Sequence, residues 1–236
     1  KHYDLIVIGS GPAGRSGALQ AAKLKKSVLV VERGRQLGGV SVHTGTIPSK
    51  TLRETVMNLS GWRERSFYGR SYRVKEEIKA EDLKSRLLKT LDHEVDVLEH
   101  QFTRNRVEIL MGEAKFVGTK GIEVTGNDGE RSSFTADKFL ITTGTRPFRP
   151  DYIPFNDVNV LDSDEIIELP RVPRSLVVIG AGVIGVEYAT IMQALDVHVT
   201  LIEPRDSFLD FIDKTMIQEF THEMREHGID LRLGSS

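Results

Sequence analysis

The sequence predicts an α/β fold in which one strand-turn-helix-strand unit is used twice, and three observations predict it. Leu5-Ile6-Val7-Ile8 is an apolar run too short for a helix and rich in β-branched residues, as a buried parallel strand is, and Leu176-Val177-Val178-Ile179 is a second strand-like apolar run. Each run ends at once in a glycine turn, Gly9-Ser10-Gly11-Pro12-Ala13-Gly14 and Gly180-Ala181-Gly182-Val183-Ile184-Gly185, with a helix-forming segment behind it. Gly180, Gly182, Gly185 and Glu203 each fall 171 positions after Gly9, Gly11, Gly14 and Glu32, and four shared offsets make an internal repeat.

In the first unit the Ala-rich helix runs to Leu24, and Val28-Leu29-Val30-Val31 is a second strand closed by Glu32, with Arg33 beside it. The pattern is that of a dinucleotide site. The first glycine permits a tight turn, the second lets backbone approach a pyrophosphate, and the third brings helix against strand, while an acid about 20 residues on faces a ribose. The second unit repeats this through a helix and the strand from Val197 to Ile202, ending at Glu203. Two complete units argue for two Rossmann-like domains and two dinucleotides, for which a flavin and a nicotinamide are the natural pair. Glu203 favours NAD through a ribose 2′-hydroxyl and repels a 2′-phosphate; Arg205, two residues on, offsets that repulsion unless it is only surface.

Composition narrows the function. With 236 residues and 39% hydrophobic content the chain holds one large or two ordinary domains around packed cores, and a soluble globular protein is expected. A net charge of -2 with both signs interspersed gives no general attraction for nucleic acid or an anionic membrane. The longest apolar stretch, Leu176 to Val186, is too short to span a bilayer, and with no signal peptide ahead of the first strand a cytoplasmic enzyme is expected. The sequence contains no cysteine, which removes disulfides, zinc-thiolate sites and thiol redox chemistry.

Between and beyond the motifs the chain reads as follows. Gly38-Gly39 and the small hydroxyl residues after it suit close backbone approach to a ligand, or form an ordinary polar loop, and Pro48 opens a helix from Lys50 to Leu59. Leu83, Leu87, Leu88, Leu91, Val95, Leu98 and Phe102 lie on one face of a long amphipathic helix between Glu76 and Phe102, whose charged face is read as solvated surface. Val107 to Met111 and Lys115 to Val117 are strand-like, and turns at Gly118 to Gly121 and Gly126 to Gly129 mark a small antiparallel meander. Phe139 to Thr142 is a further buried strand. Pro147, Pro150 and Pro154 stiffen a domain boundary, giving domains at 1–150 and 151–236, and Asp162-Ser163-Asp164 reads as a helix N-cap.

Gly38-Gly39, Ser41, Thr46 and Ile47-Pro48-Ser49-Lys50 resemble the active-site segment of the flavoprotein disulfide reductase family, in which two cysteines stand five positions apart. Here they are Ser41 and Thr46, and a hydroxyl cannot perform disulfide exchange. His43 to Arg53, with Ser66-Phe67-Tyr68-Gly69-Arg70, is similar to the soluble pyridine nucleotide transhydrogenase branch, which lacks the complete dithiol and often keeps one cysteine where Ser41 stands. The resemblance spans the whole chain but about half the family's usual length, without the late flavin-contacting turn and the interface domain through which members dimerise. It implies FAD in a first domain that carries the inserted meander and long helix, NAD or NADP in the second, and a homodimer or higher homo-oligomer at full length. It further implies flavin contacts at Ala114 and at Thr143-Gly144, and Lys50 beside the flavin N5, paired with Glu187 near the nicotinamide. The implied activity is hydride transfer from NADPH through FAD to NAD+; a dihydrolipoamide dehydrogenase-like reductase with its cysteines replaced, and a non-catalytic FAD/NAD(P)-binding protein, are the alternatives.

Overall fold

The computed structural model describes residues 1–69 and 71–235; Arg70, part of the resemblance above, and Ser236 lie outside them. In chain order the elements are β1 (His2–Ile8), α1 (Pro12–Lys23), β2 (Val28–Glu32), α2 (Gly39–His43), α3 (Thr46–Leu59), α4 (Arg65–Tyr68), α5 (Ala80–Arg104), β3 (Glu108–Val117), β4 (Gly121–Gly126) and β5 (Arg131–Ile141). There follow β6 (Ser175–Ile179), α6 (Val183–Gln193), β7 (His198–Glu203), α7 (Lys214–Glu226) and β8 (Asp230–Leu233). By contact the chain divides into two compact units, Lys1–Pro48 with Lys89–Phe148, and Ser49–Leu88 with Arg149–Ser236.

In the first unit β1 is central, parallel to β2 on one side and to β5 on the other, and β2 is parallel to β3. The same β3 and β5 then run on into the antiparallel meander with β4, so that the strands close on themselves. Val107 to Met111 and Lys115 to Val117 are therefore one strand rather than two, and Phe139 to Ile141 ends the meander's last strand rather than forming a separate one. The apolar runs are continuous because both faces are covered. Val7, Val28 and Val30 pack with Ala18 of α1 and with Val95, Leu98 and Phe102 of α5, while Tyr3, Ile6, Leu29 and Val31 pack against Ile122, Val124 and Ala136 of the meander.

Four further expectations shift in detail. Gly39–His43, expected as loop, is a short helix, and α3 begins at Thr46, two residues before Pro48, which a first helical turn tolerates. Leu88, expected on the buried face of α5, is 58% exposed; it lies at the edge of the stripe, about 100° from Leu87 and about 20° beyond Val95. Asp162 precedes only a short 3₁₀ turn at Ile166–Glu168, and its carboxylate accepts the Asp164 amide at 2.8 Å rather than capping an α-helix.

In the second unit β6, β7 and β8 form a parallel sheet in that order. Val199 and Leu201 of the middle strand are fully buried among Val186, Ala189 and Met192 of α6, Met224 of α7 and Leu231 of β8. Asp213 caps α7, accepting the Thr215 amide at 2.9 Å, which satisfies one of that helix's free donors. Among the described residues no helix is long and apolar enough to cross a membrane.

Candidate functional site

The two glycine turns have the same build. Gly9 and Gly180 take φ of +103° and +99°, a region that glycine enters freely, and this folds the chain back at the end of each first strand. A Cβ on Gly14 or Gly185 would collide with the carbonyl oxygen of Gly9 or Gly180, so only hydrogen fits where helix meets strand. The middle glycines behave otherwise. A Cβ on Gly182 would meet nothing within 4 Å, and one on Gly11 only the Gly38 carbonyl oxygen at 4.0 Å. These turns thus leave open space over their backbone at the N-termini of α1 and α6, where free amides favour a pyrophosphate, and the residues present fit a dinucleotide at each turn. Pro12, Val183 and Ile184 are exposed at the same helix ends.

The acids at the strand ends hold their own turns. Glu32 is buried; its Oε2 accepts the Ser10 amide at 2.8 Å and the Ser10 hydroxyl at 2.6 Å, and its Oε1 accepts the Gly34 amide at 2.8 Å. Burial pushes its pKa up, but the bonds from Ser10, Gly34 and Arg33 outweigh this and hold it below the ordinary carboxylate value. Ser10 Oγ in turn accepts the Gly38 amide at 2.9 Å. Gly38 and Gly39 both have positive φ, and a Cβ on Gly39 would lie 3.1 Å from the Gly11 Cα. The glycine pair predicted as a ligand-facing loop is thereby brought against the first turn. Thr142, at the end of β5, completes it: its hydroxyl donates to the carbonyls of Ile8 and Gly9, 3.0 Å from each, and leaves Thr143 and Gly144 exposed beside the turn.

In the second unit Glu203 is also buried, with Oε2 accepting the Ala181 amide at 2.9 Å. Its Oε1 accepts from Arg205, from the amide at 3.2 Å and from Nε at 2.7 Å. The Arg205 hydrogen bond, opposed by burial and helped by the amides, brings its pKa down to about 2. Arg33 is exposed beyond β2. Ala114 lies in β3 opposite Val124, three residues past Met111, the partner of Glu32.

Lys50 and Glu187, far apart in sequence, are joined by an ion pair in which Lys50 Nζ donates to Glu187 Oε1. They come from α3 and α6, within the second compact unit. Ser41 lies in α2 and Thr46 begins α3, with the turn between them closed by the Thr44 and Gly45 amides on the Val40 carbonyl. Two further residues were not singled out by their sequence. Thr44 Oγ1 and the Tyr188 hydroxyl are buried without a hydrogen-bond partner among the described residues. Thr44 lies between Ser41 and Thr46, so its place in the segment was the available signal; Tyr188 had none, since a tyrosine on an apolar helix reads as core. Burial, with the charges of Glu187 and Asp164, raises the Tyr188 pKa. No group of histidine, cysteine, aspartate and glutamate side chains able to hold a metal occurs among the described residues.

Comparison with known proteins agrees with this geometry. Soluble pyridine nucleotide transhydrogenases are 47% identical over 235 residues in Mycobacterium tuberculosis (strain ATCC 25177 / H37Ra) and 37% identical over 232 residues in Colwellia psychrerythraea, covering 99% and 98% of this chain. The chain spans about half the length of these curated relatives, 50% in each case. The fold is similar to that of the HOCl-induced flavoprotein disulfide reductase RclA from Escherichia coli, with a TM-score of 0.82 and 23% identity over 99% of this chain and 49% of that one. The family described as pyridine nucleotide-disulphide oxidoreductase matches residues 3–236, and the chain belongs to that family.

Proposed function

We propose that this chain is the nucleotide-binding half of an FAD-dependent oxidoreductase that transfers hydride between NADPH and NAD+ without a redox disulfide. The observation that carries the proposal is the repeated glycine turn with open space over Gly11 and Gly182, two dinucleotide cradles in one polypeptide. Membership in the family implies FAD and NAD(P). In this reading residues 1–150 hold FAD, through Gly9, Gly11, Pro12, Gly14, Glu32, Arg33, Gly38, Gly39, Ser41, Thr46, Ala114, Thr143 and Gly144. Residues 151–236 hold the nicotinamide nucleotide, through Gly180, Gly182, Val183, Ile184, Gly185, Glu203 and Arg205. FAD, when bound, supplies the electron chemistry, accepting hydride from one nucleotide and returning it to the other.

The chain's own residues bind and orient. Amides of the turns face pyrophosphates, Glu32 and Glu203 stiffen those turns, and Lys50 and Glu187 set the charge at the reacting end. Ser41 and Thr46 fill positions where thiols would stand in dithiol enzymes, and neither can cycle through a disulfide. The relatives' names support NADPH and NAD+ as the substrate pair; a cytoplasmic setting and a homodimer or higher homo-oligomer at full length belong to the same proposal and rest on the family resemblance alone. The test is anaerobic titration of the full-length protein with NADPH followed by NAD+. Bleaching of the flavin band and its recovery on NAD+ are expected; bleaching with no recovery would remove the transhydrogenase reading.

A further inference from the structure

Within the second compact unit, α3 from Ser49 onward and α6 are pinned to each other at both ends. On the N-terminal side Lys50 of α3 donates to Glu187 of α6. On the other side Arg65, just past α3, reaches Asp196, just past α6: Nη1 donates to Oδ1 at 3.1 Å and Nη2 to Oδ2 at 3.4 Å. The same Nη2 donates to the Ser60 carbonyl at 3.3 Å, so the guanidinium sits on the C-terminal end of α3. Lys50 and Ser60 are ten residues apart, and Glu187 and Asp196 nine, about 15 Å and about 14 Å of helical rise. The helices therefore run in the same direction with matched spans, and each end contact fixes where the other falls.

The distal pin is firmly made. Asp196 stands in the turn between α6 and β7 at a φ of +62°, a conformation that aspartate and asparagine enter more readily than other non-glycine residues. A second arginine, Arg73, donates from Nη2 to its Oδ2 at 2.6 Å, so one carboxylate gathers two guanidiniums. The Arg65 side chain is 9% exposed, and its guanidinium carbon lies 5.0 Å from the centre of the Trp62 ring. That ring packs at 4.8 Å on the ring of His227, at the end of α7. Between the two pins the packing is loose. Val56 and Met57 of α3 and Thr190, Ile191 and Ala194 of α6 line a cleft of about 340 Å³. Side chains parted by a cleft do not interdigitate as ridges and grooves, and the register of the helices is left to the end contacts.

We propose that Asp196 is a positioning residue: by holding Arg65 and Arg73 it sets the register of α3 against α6, and thereby places the Lys50 ammonium on the Glu187 carboxylate. The proposal rests on the reading of that pair as the charges at the reacting end. Asp196 lies about 14 Å along the helix from Glu187, beyond the reach of an unscreened charge, so its influence passes through the placement of α3. Misplacement of a reacting group by about 1 Å can slow a step on the order of a hundredfold, and a partial loss of register shows in the rate before it shows in nucleotide affinity.

The test uses the full-length protein. Asp196→Asn keeps the backbone preference of the turn and removes the charge. Stopped-flow titration with NADPH is expected to show the limiting rate of flavin reduction down about three- to tenfold, with the apparent Kd for NADPH unchanged. In a Glu187→Gln background Asp196→Asn should cost nothing more, because the group it positions is already gone. A second readout needs no turnover. With lysines dimethylated by isotope-labelled formaldehyde, the Lys50 magnetic resonance signal, identified by its loss in Lys50→Arg, should move on Glu187→Gln and move alike on Asp196→Asn. Arg73→Gln, which keeps the Arg65 contact, should give the same pattern more weakly, and it carries the test if Asp196→Asn does not fold. An unchanged limiting rate, a loss that repeats in full in the Glu187→Gln background, or a Lys50 signal left in place would overturn the proposal. An unchanged rate in Glu187→Gln alone would overturn the parent reading of the pair, and the Lys50 signal would still decide whether Asp196 positions it.

Discussion

Ser10 and Glu32 are bonded twice, with the Ser10 amide and hydroxyl both donating to Glu32 Oε2, at 2.8 and 2.6 Å. Because the same hydroxyl accepts the Gly38 amide, one serine ties the glycine turn, the end of β2 and the Gly38-Gly39 pair together. Ser10→Ala leaves Glu32 with one bond fewer and the buried Gly38 amide without an acceptor. A loss of about 1–3 kcal/mol is expected, read as a fall in the denaturation midpoint. An unchanged midpoint would show that the Gly38 amide finds another partner.

The glycines of each turn are expected to separate into two classes. Gly9→Ala places a Cβ against the Thr142 carbonyl at a φ of +103°, and should lower stability by more than about 1 kcal/mol. Gly11 and Gly182 have extended φ and ψ and open space, so alanine at either should leave thermal stability nearly unchanged while nucleotide retention falls. Flavin absorbance per chain after gel filtration reads the Gly11 variant, NAD+ affinity by calorimetry reads the Gly182 variant, and a melting curve on each sample reads stability. Full flavin content in Gly11→Ala would exclude that glycine from the flavin site.

The Lys50–Glu187 ion pair should matter to chemistry more than to folding. Lys50 is 59% exposed, and pairs so open to solvent contribute about 0–1 kcal/mol. Lys50→Met or Glu187→Gln is therefore expected to shift the melting temperature little, while the rate of flavin reduction by NADPH in the full-length protein drops on the order of tenfold or more. Stopped-flow absorbance at the flavin band measures it, and an unchanged rate would make the pair merely structural.

Acid sensitivity should report on Glu203. Its pKa falls from 4.5 to about 2 in the fold, chiefly through Arg205, so its contribution to stability is complete above the unfolded value and disappears as pH drops through the folded one. Glu203→Gln removes that titration. Denaturant melts at successive pH values between 4.5 and about 2 should fall less steeply in the variant than in the wild type. Parallel curves would mean that the acid is no better held in the fold than out of it.

Much of the fold was legible because the runs that form β1 and β6 are apolar and end in glycine, while those that form β2 and β7 end in an acid at a fixed spacing, a local pattern that few other structures satisfy. Less legible was the path of β3 and β5, each of which serves the parallel layer and the meander; no local signal marks where one set of partners gives way to the other. Leu88 shows the same limit on a helix, where the apolar stripe is clear but its edge depends on what packs there. Arg205 shows it for the site: an arginine after a proline reads as surface until its Nε is seen on a buried carboxylate.

The sequence by itself determined that two strand-turn-helix units recur with the same spacing, that each carries an acid at the end of its second strand, and that no thiol is present. These are properties of residue type and separation. Only the tertiary structure decided what the acids touch: Glu32 braces Ser10 and Gly34, Glu203 lies under Arg205, and Lys50 meets Glu187 across 137 positions of chain. A hydrogen bond depends on distances of a few tenths of an ångström between side chains brought together by packing, and that information is not carried by either residue alone.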